Sequence, residues 1–511
     1  MKTNFLNLID DDKEHINNVL KEIEGKDKVI LYFHGGLSSD NYMKTKLGPL
    51  LIETILNPKN LDNDDFKTHS VFMQYNASPF QGDYLKELVK KLANEVSWKM
   101  IAVFIAKKLN IPIPEDNELS FKELISPEGV NISALELLKN LNFDTTLFKT
   151  IDDEDVIIES SDPDEKHIEK NLHDILENDL SINKDELLKI EKELSNNFDQ
   201  DSEKAAVLWI KSSLLIYRIV KRFVLGTDHG IYSTTIEELS RIKIANLIAV
   251  GDLAQAHYNM IYNHSEEIWK NENGIHFLSK LNELCKKRKK KEKVLLIDLI
   301  SHSAGSIPIC YLLDVLKLKD YPEIKINNIL PIVPAVRLKL FENQIVTSKE
   351  KPFKMFRMFL LDDFSETEDK VIPFIYERSL LYFVSGVAEL IESKGDMTIL
   401  GMHRYIKDEK PYNKKRYNKK DYKDIYGDLK KCRDFLNTEN RMVIVSLAEN
   451  IESTNGTKVI QTKGASHEFT KLPNKSPELA KDLIYLLSEK GTSPSDVDSG
   501  EWQSIAENLN I

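Results

Sequence analysis

The chain has 511 residues, with 30% charged residues, 41% hydrophobic residues and a formal net charge of −12. That length suits a large enzyme domain carrying a further module, at a soft prior of ~150 residues per domain. An acidic whole argues against nucleic acid or anionic lipid as a partner, because both are held mainly by positive charge.

The three cysteines, Cys285, Cys310 and Cys432, lie far apart with no C-x-x-C pair. This is the pattern of a reduced, cytoplasmic protein and not of a disulfide framework. The N-terminus turns acidic at Asp10, Asp11 and Asp12 without an apolar core, so no secretory signal is expected. No run reaches the ~18 uncharged apolar residues of a membrane span. The nearest candidate, 205–226, carries Lys211, Arg218, Lys221 and Arg222 and reads as an amphipathic helix.

In chain order, the apolar run 29–33 predicts a buried strand, closed by His34, Gly35 and Gly36. A helix is predicted over 42–56, a second strand over 70–75 and a second helix over 84–109. This β-α-β-α rhythm favours a mostly parallel sheet. From 110 to 285 the rhythm stops: acidic loops at 151–155 and 160–165 precede helical periodicity at 185–196, 203–225 and 234–260. Strands return at 294–300, 328–333, 354–361 and 441–446, with a short apolar stretch at 459–461. The expected organisation is an α/β domain made of 1–110 and 285–490, flanking helices included, interrupted by a mainly helical insertion or cap, 111–284, and followed by a tail, 491–511.

Ser301-His302-Ser303-Ala304-Gly305 directly follows the strand at 294–300 and precedes a predicted helix over 307–318, with Pro308 tolerated in its first turn. Strand, sharp turn and helix form the setting of a nucleophile elbow, which holds a serine hydroxyl at the C-terminal edge of a sheet. Gly305 meets the need for a small residue two places after the nucleophile; Ser301 stands where a glycine is usual. A plainer reading makes Ser301 or Ser303 a helix cap.

With the HGG turn at 34–36, the chain resembles the α/β-hydrolase superfamily, whose esterases and lipases often carry such a turn after an early strand. The resemblance implies an oxyanion hole made of the N–H of Gly36 or Leu37 and that of Ala304. It implies an acid after the strand at 354–361: Asp369, in a loose D-x-x-V-P-like turn with valine one place early, with Asp363 as rival and Asp362 as a weaker one. It implies a histidine base after the last strand, His467 in Lys463-Gly-Ala-Ser-His467. The order Ser303, Asp369, His467 is the α/β-hydrolase order. The expected activity is acyl transfer on a carboxylic ester, with lipids and thioesters included, and it needs no cofactor.

Other polar features read more plainly. His34 is expected to be structural. His229, in Asp228-His229-Gly230, belongs to a turn with Ser233 or Thr234 capping the next helix, and His403 has no spacing that assigns it a role. No H-E-x-x-H or paired Cys/His pattern supports a metal. The basic run 286–291 suits a helix C-terminus; 414–420, with tyrosines in and around it, suits a solvated loop, with a polyanionic or phosphate-bearing partner as the alternative. The apolar helix at 204–225 could roof an acyl pocket or bury against a protein partner. A module that keeps the fold and acts only as an effector or within a complex is the alternative to an enzyme.

Overall fold

A computed structural model describes residues 4–36, 38–62, 66–77, 218, 219, 222, 228–241, 248–318, 320–348, 351–370, 376, 378–389, 396–407, 420–438, 441–447, 457–462 and 477–488. The strands are β1 (Phe5–Asn7), β2 (Lys28–Phe33), β3 (Thr68–Gln74), β4 (Leu296–His302), β5 (Ile326–Ile332), β6 (Phe353–Phe356), β7 (Met358–Leu361), β8 (Met442–Ser446) and β9 (Lys458–Gln461). They form one sheet in the order β1-β3-β2-β4-β5-β7-β8-β9, with β6 paired to β5, and all the strand pairs are parallel.

Sheets of this kind are covered on both faces, which is why strands such as KVILYF read as continuous apolar runs. Alternate residues serve opposite layers. Val29, Leu31, Phe33, Ile297 and Leu299 join one apolar cluster, and Ile30, Tyr32, Ile300, Leu330 and Ile332 join the other.

The first layer holds helices α1 (Lys13–Glu24), α2 (Ile248–Lys270), α3 (Glu272–Lys289) and α4 (Ser306–Lys317). Helix α1 starts where the Asp12 carboxylate accepts from His15 N, and it buries Ile16, Val19, Leu20 and Ile23 at helical spacing. Between α2 and α3, the Asn271 side chain accepts from Gly274 N and donates to the Leu8 carbonyl. The second layer is built on Met43, Leu47 and Leu51 and on α6 (Pro477–Leu487), through Leu479, Leu483 and Leu487.

The elements differ from the sequence expectations at three points. β4 begins and ends two residues later than 294–300, because its ladder with β2 runs on to Phe33–Ser301 and its ladder with β5 to His302–Ile332. The strand expected at 354–361 is split by Arg357 into β6 and β7, and β7 turns to pair with β8. The short β1 and helix α1 have no counterpart in the expected elements.

The boundary expected at 284–285 falls inside α3, and α2 and α3 share the apolar cluster of the sheet. Of the expected insertion, residues 111–217 lie outside the described residues, as does the tail 491–511. Among the described residues, no helix is long and apolar enough to cross a membrane.

Asp298 sits inside β4 with no exposure. Its carboxylate stands 2.9 Å from the equally buried Lys28 Nζ and accepts from Asn327 Nδ2 at 2.9 Å and Asn328 N at 3.1 Å. Lys28 Nζ also donates to the Leu487 carbonyl at 2.7 Å, tying the start of β2 to the end of α6. Both charges therefore have polar partners in the interior, the condition for burying them. The basic run closes α3 with Lys286, Lys287, Arg288 and Lys289 in its last turn, where Arg288 pairs with Asp27 at 2.7 Å.

Candidate active site

The sheet order reverses direction between β2 and β4. From β2 the chain moves outward to β3, and from β4 it moves the other way to β5. In open α/β sheets, the crevice outside the C-terminal ends of the strands at such a reversal is the usual ligand site. The HGG turn leaves β2 and the SHSAG turn leaves β4 at this point, side by side in the register Phe33–Ser301.

Ser303 has φ of +51°, the left-handed region that a non-glycine residue occupies only under constraint. It opens a one-turn 3-10 segment, Ser303–Gly305, that runs straight into α4. The constraint comes from both neighbouring strands. Gly305 lies against β2 so closely that a Cβ there would stand 2.3 Å from the Phe33 carbonyl oxygen and 2.6 Å from that of His34. On the other side, the Ser303 carbonyl accepts from Ala335 N at 3.0 Å.

Ala335 follows Val333, itself at φ +40°, whose N–H donates to the Phe359 carbonyl at 2.7 Å. A β-branched residue in that region is strained, at a cost of roughly 1–3 kcal/mol, so the loop beside the elbow is held as firmly as the elbow. Below the turn, the Ser301 and Ser306 hydroxyls bond at 2.9 Å, so the serine in the place of the usual glycine is satisfied internally.

The HGG turn meets the elbow directly. A Cβ on Gly35 would lie 2.8 Å from His302 Nδ1 and 3.4 Å from Ser303 Cβ; one on Gly36 would lie 3.1 Å from Ala304 Cβ. Only residues without side chains allow this approach. His34 anchors the turn from behind: it stacks on Tyr75, its carbonyl accepts from Tyr75 Oη at 2.7 Å, and its Nε2 lies 3.4 Å from Asp40 Oδ1. Ser303, Ala304, Gly35 and Gly36 are thus brought together, and Ser303 is 5% exposed. Leu37 and His467 lie outside the described residues.

The candidate acids follow β7, two strands from β4 on the same sheet edge, or ~10 Å at the usual strand spacing. Asp362 caps the short helix α5 (Asp363–Glu368) by accepting from Ser365 N at 2.8 Å, and it accepts from Ser446 Oγ on β8 at 2.8 Å. Asp363 pairs with Lys407 at 3.0 Å. Asp369 is half-buried at the C-terminal cap of α5.

Glu366, absent from the sequence-derived candidates, is fully buried, and neither of its carboxylate oxygens has a hydrogen bond of good geometry. Burial, reinforced by Asp369, Asp363 and Asp362, holds its carboxyl well above the usual carboxylate range. A glutamate in an acid-rich loop carries no sequence signal for such burial.

Helix α2 closes the other flank. Tyr258 Oη donates to the Ala335 carbonyl at 3.1 Å, Tyr262 Oη accepts from Arg337 N at 3.1 Å, and the Arg337 guanidinium lies over the Tyr262 ring and pairs with Glu389 at 2.6 Å. Ile261 reaches the HGG turn, where its Cδ1 would stand 2.7 Å from a Cβ on Gly36.

His229 is buried just before the helix Ile231–Arg241, so Ser233 and Thr234 lie inside that helix and do not cap it as expected. The His229 N–H donates to Thr234 Oγ1 at 2.8 Å, and its ring Nδ1 lies 2.8 Å from Glu237 Oε1. Glu237 also pairs with Arg222 at 2.7 Å, and Arg222 pairs with Asp396 at 3.0 Å, so the residues around this turn are locked by buried charge. His403 begins a short helix, His403–Ile406. The three cysteines are free and buried, and burial pushes the Cys285 thiol up to about 11 and that of Cys310 to about 12.

No family model, curated protein or solved structure matches this chain.

Proposed function

We propose that the chain is a serine hydrolase of the α/β-hydrolase type that acts by acyl transfer on a carboxylic ester. The observation that carries this reading is the backbone of Ser303: φ of +51° in a strand–turn–helix elbow, packed on a glycine turn where the sheet order reverses. A helix-capping serine has extended backbone and needs no such strain. The strand order β3-β2-β4-β5, with the glycine turn on β2, the serine on β4 and the acids after β7, supports the hydrolase-type assignment.

In the proposed mechanism, Ser303 Oγ attacks the ester carbonyl carbon as His467 takes the hydroxyl proton. Backbone N–H groups of Gly36 or Leu37 and of Ala304 hold the developing oxyanion, a contribution of about 3–4 kcal/mol for a well-placed donor. The tetrahedral intermediate collapses to a Ser303 acyl-enzyme, and His467 returns the proton to the departing alcohol. Water, deprotonated by His467, then releases the acid and restores the hydroxyl. Asp369 orients His467. Asp363, which pairs with Lys407, is the rival for that role.

The substrate class is a carboxylic ester, lipid esters and thioesters included, with the part of the helical insertion before α2 as its cap or as a surface for a protein partner. The proposed compartment is the reducing cytoplasm, in keeping with three cysteines that are free and buried. Hydrolysis of p-nitrophenyl esters of increasing chain length tests the reading. Ser303→Ala should lower kcat by roughly 10⁶-fold, with His467→Ala similar and not additive. Equal turnover by Ser303→Ala and the parent would overturn it.

A further inference from the structure

The N-terminal edge of the sheet, opposite the edge that carries Ser303, is fringed by lysines. Helix α3 runs toward it, starting beside Leu8, after β1, and ending beside Asp27, just before β2. Lys286, Lys287 and Lys289 in its last turn, and Lys290, Lys291 and Lys293 after it, are all exposed. Lys289 pairs with Glu323 at 2.8 Å; the other five pair with no carboxylate among the described residues. Within 286–293, seven basic residues stand against a single acid, Glu292. The run is an ordered turn: the N–H groups of Lys291, Glu292 and Lys293 donate to the carbonyls of Arg288, Lys289 and Arg288 at 2.8, 3.0 and 3.1 Å, and Glu292 takes the left-handed φ of +57° that closes a helix in this way. The helix dipole favours positive charge within the last turn and gives no reason for Lys291 and Lys293 beyond it.

Two large apolar side chains lie at the same edge. Val294, next in the chain, and Leu318, directly after α4, are each 67% exposed, the most of any large apolar residue described. Segment 320–325, just beyond Leu318, is bound to the end of α3: Glu323 N–H donates to Asn282 Oδ1 at 2.9 Å, and the Glu323 carboxylate takes Lys289. Lys325, also exposed, then leads into β5 beside β4. The charge of −12 belongs to the whole chain and does not govern this face. At physiological salt the Debye length is ~8 Å, so a surface brought against the edge feels the local charge.

We propose that this edge docks the protein on an anionic membrane surface, with the lysines on the lipid headgroups and Val294 and Leu318 at the acyl boundary. Lysine stems are apolar, so the charged heads reach the headgroups beside inserted apolar neighbours. Positive charge joined to a small apolar insertion is what holds a peripheral protein at such an interface, and the anionic cytoplasmic leaflet matches the proposed compartment. Single-stranded nucleic acid fits less well. Its sites stack bases on exposed aromatic rings, whereas Tyr321, the aromatic residue of segment 320–325, is buried. Docking here turns the Ser303 crevice away from the membrane, so it sets where the protein sits and leaves the crevice open to the aqueous side. The proposal stands apart from the hydrolase reading.

The test sediments the full-length protein with vesicles of phosphatidylcholine, alone or with about one-third phosphatidylserine, at about 0.1 M and about 0.5 M salt. A charge variant carries Lys290→Gln, Lys291→Gln and Lys293→Gln. A control carries Lys44→Gln, Lys420→Gln and Lys430→Gln, exposed lysines of other elements. An apolar variant carries Val294→Ser and Leu318→Ser. Every substituted side chain is exposed, and the urea midpoint checks that each variant folds as the parent does.

The parent should bind the vesicles that contain phosphatidylserine and not those without it, and the higher salt should release it. At about fivefold per lysine, the charge variant should bind about 100-fold less tightly, and the control should stay close to the parent. The apolar variant should bind at least about fivefold less tightly. A parent that does not bind, equal losses in the charge variant and the control, or undiminished binding by the apolar variant overturns the proposal. So does binding to poly-uridylate that is tighter than to the vesicles and is lost in the same charge variant. Turnover of a soluble ester should be equal in the parent and the charge variant. A parent that docks but hydrolyses nothing sinks the hydrolase reading and leaves the docking surface in place.

Discussion

Substituting Gly305 by alanine asks the most of the elbow for the least chemical change. One methyl group is added, and it would stand 2.3 Å from the Phe33 carbonyl oxygen and 2.6 Å from that of His34. Neither atom is the far end of a flexible side chain; both belong to the backbone at the end of β2, which is laddered on both sides to β3 and β4. Ordinary carbon–oxygen contact needs about 3.4 Å, so the elbow and β2 must separate by about 1 Å. Overpacking of this kind costs typically 1–3 kcal/mol, and the rigidity of the neighbours places this case at the upper end, about 3 kcal/mol.

The same displacement moves Ser303 away from the glycine turn, and a 1 Å error in a reacting group is worth about 10²-fold in rate. Urea unfolding should therefore show the stability loss, and fluorophosphonate labelling under native conditions should slow by about that factor. Gly25→Ala is the control, because a Cβ at Gly25 meets nothing within 4 Å at φ of −84°. If Gly305→Ala is as stable and as reactive as Gly25→Ala, the close seating of the elbow on β2 is wrong.

Further substitutions probe the buried ionisable groups. Asp298→Ala takes the carboxylate away from the buried Lys28 ammonium, which still donates to the Leu487 carbonyl, and it should cost about 3–5 kcal/mol in urea unfolding. The double variant Lys28→Met, Asp298→Leu should recover most of that loss, and no recovery would contradict the pairing. Burial holds the Glu366 carboxyl well above the usual carboxylate range in the fold, whereas in the unfolded chain it ionises near ~4.3. The unfolded state thus sheds a proton that the folded state keeps, and stability falls as pH rises above that value. Glu366→Gln removes this loss, so its advantage over the parent should be larger in urea unfolding at pH 8 than at pH 5; an advantage independent of pH would refute the burial of a neutral acid.

Much of this arrangement is legible in the sequence because parallel strands buried on both faces leave continuous apolar runs. The runs around Leu31, Ile300, Leu330 and Val443 all fall in strands, and the serine motif stands where β4 ends. β1 escapes notice because three residues are too short for a periodic signal, although the Asp12 cap of α1 is readable after the fact. Arg357 hides the break between β6 and β7, since a single residue between two apolar pairs does not interrupt the alternation.

The role of α2 was hidden for a different reason. Its sequence looks like one more helix of an insertion, and only the three-dimensional neighbourhood sets Ile261 on Gly36, His257 on the Ala77 carbonyl and Tyr258 on Ala335. The strain at Val333 leaves no trace in the sequence, because valine is a usual strand residue and its φ of +40° is imposed by the loop that braces the elbow.

The central claim is that the Ser303 hydroxyl is a nucleophile. Incubating the intact protein with a fluorophosphonate and locating the adduct by peptide mass spectrometry tests it directly. The account predicts a single phosphonylated serine, at Ser303, lost in Ser303→Ala and in protein unfolded before exposure. An unlabelled native protein, or an adduct that persists in Ser303→Ala, would contradict it and favour a fold kept for binding without catalysis.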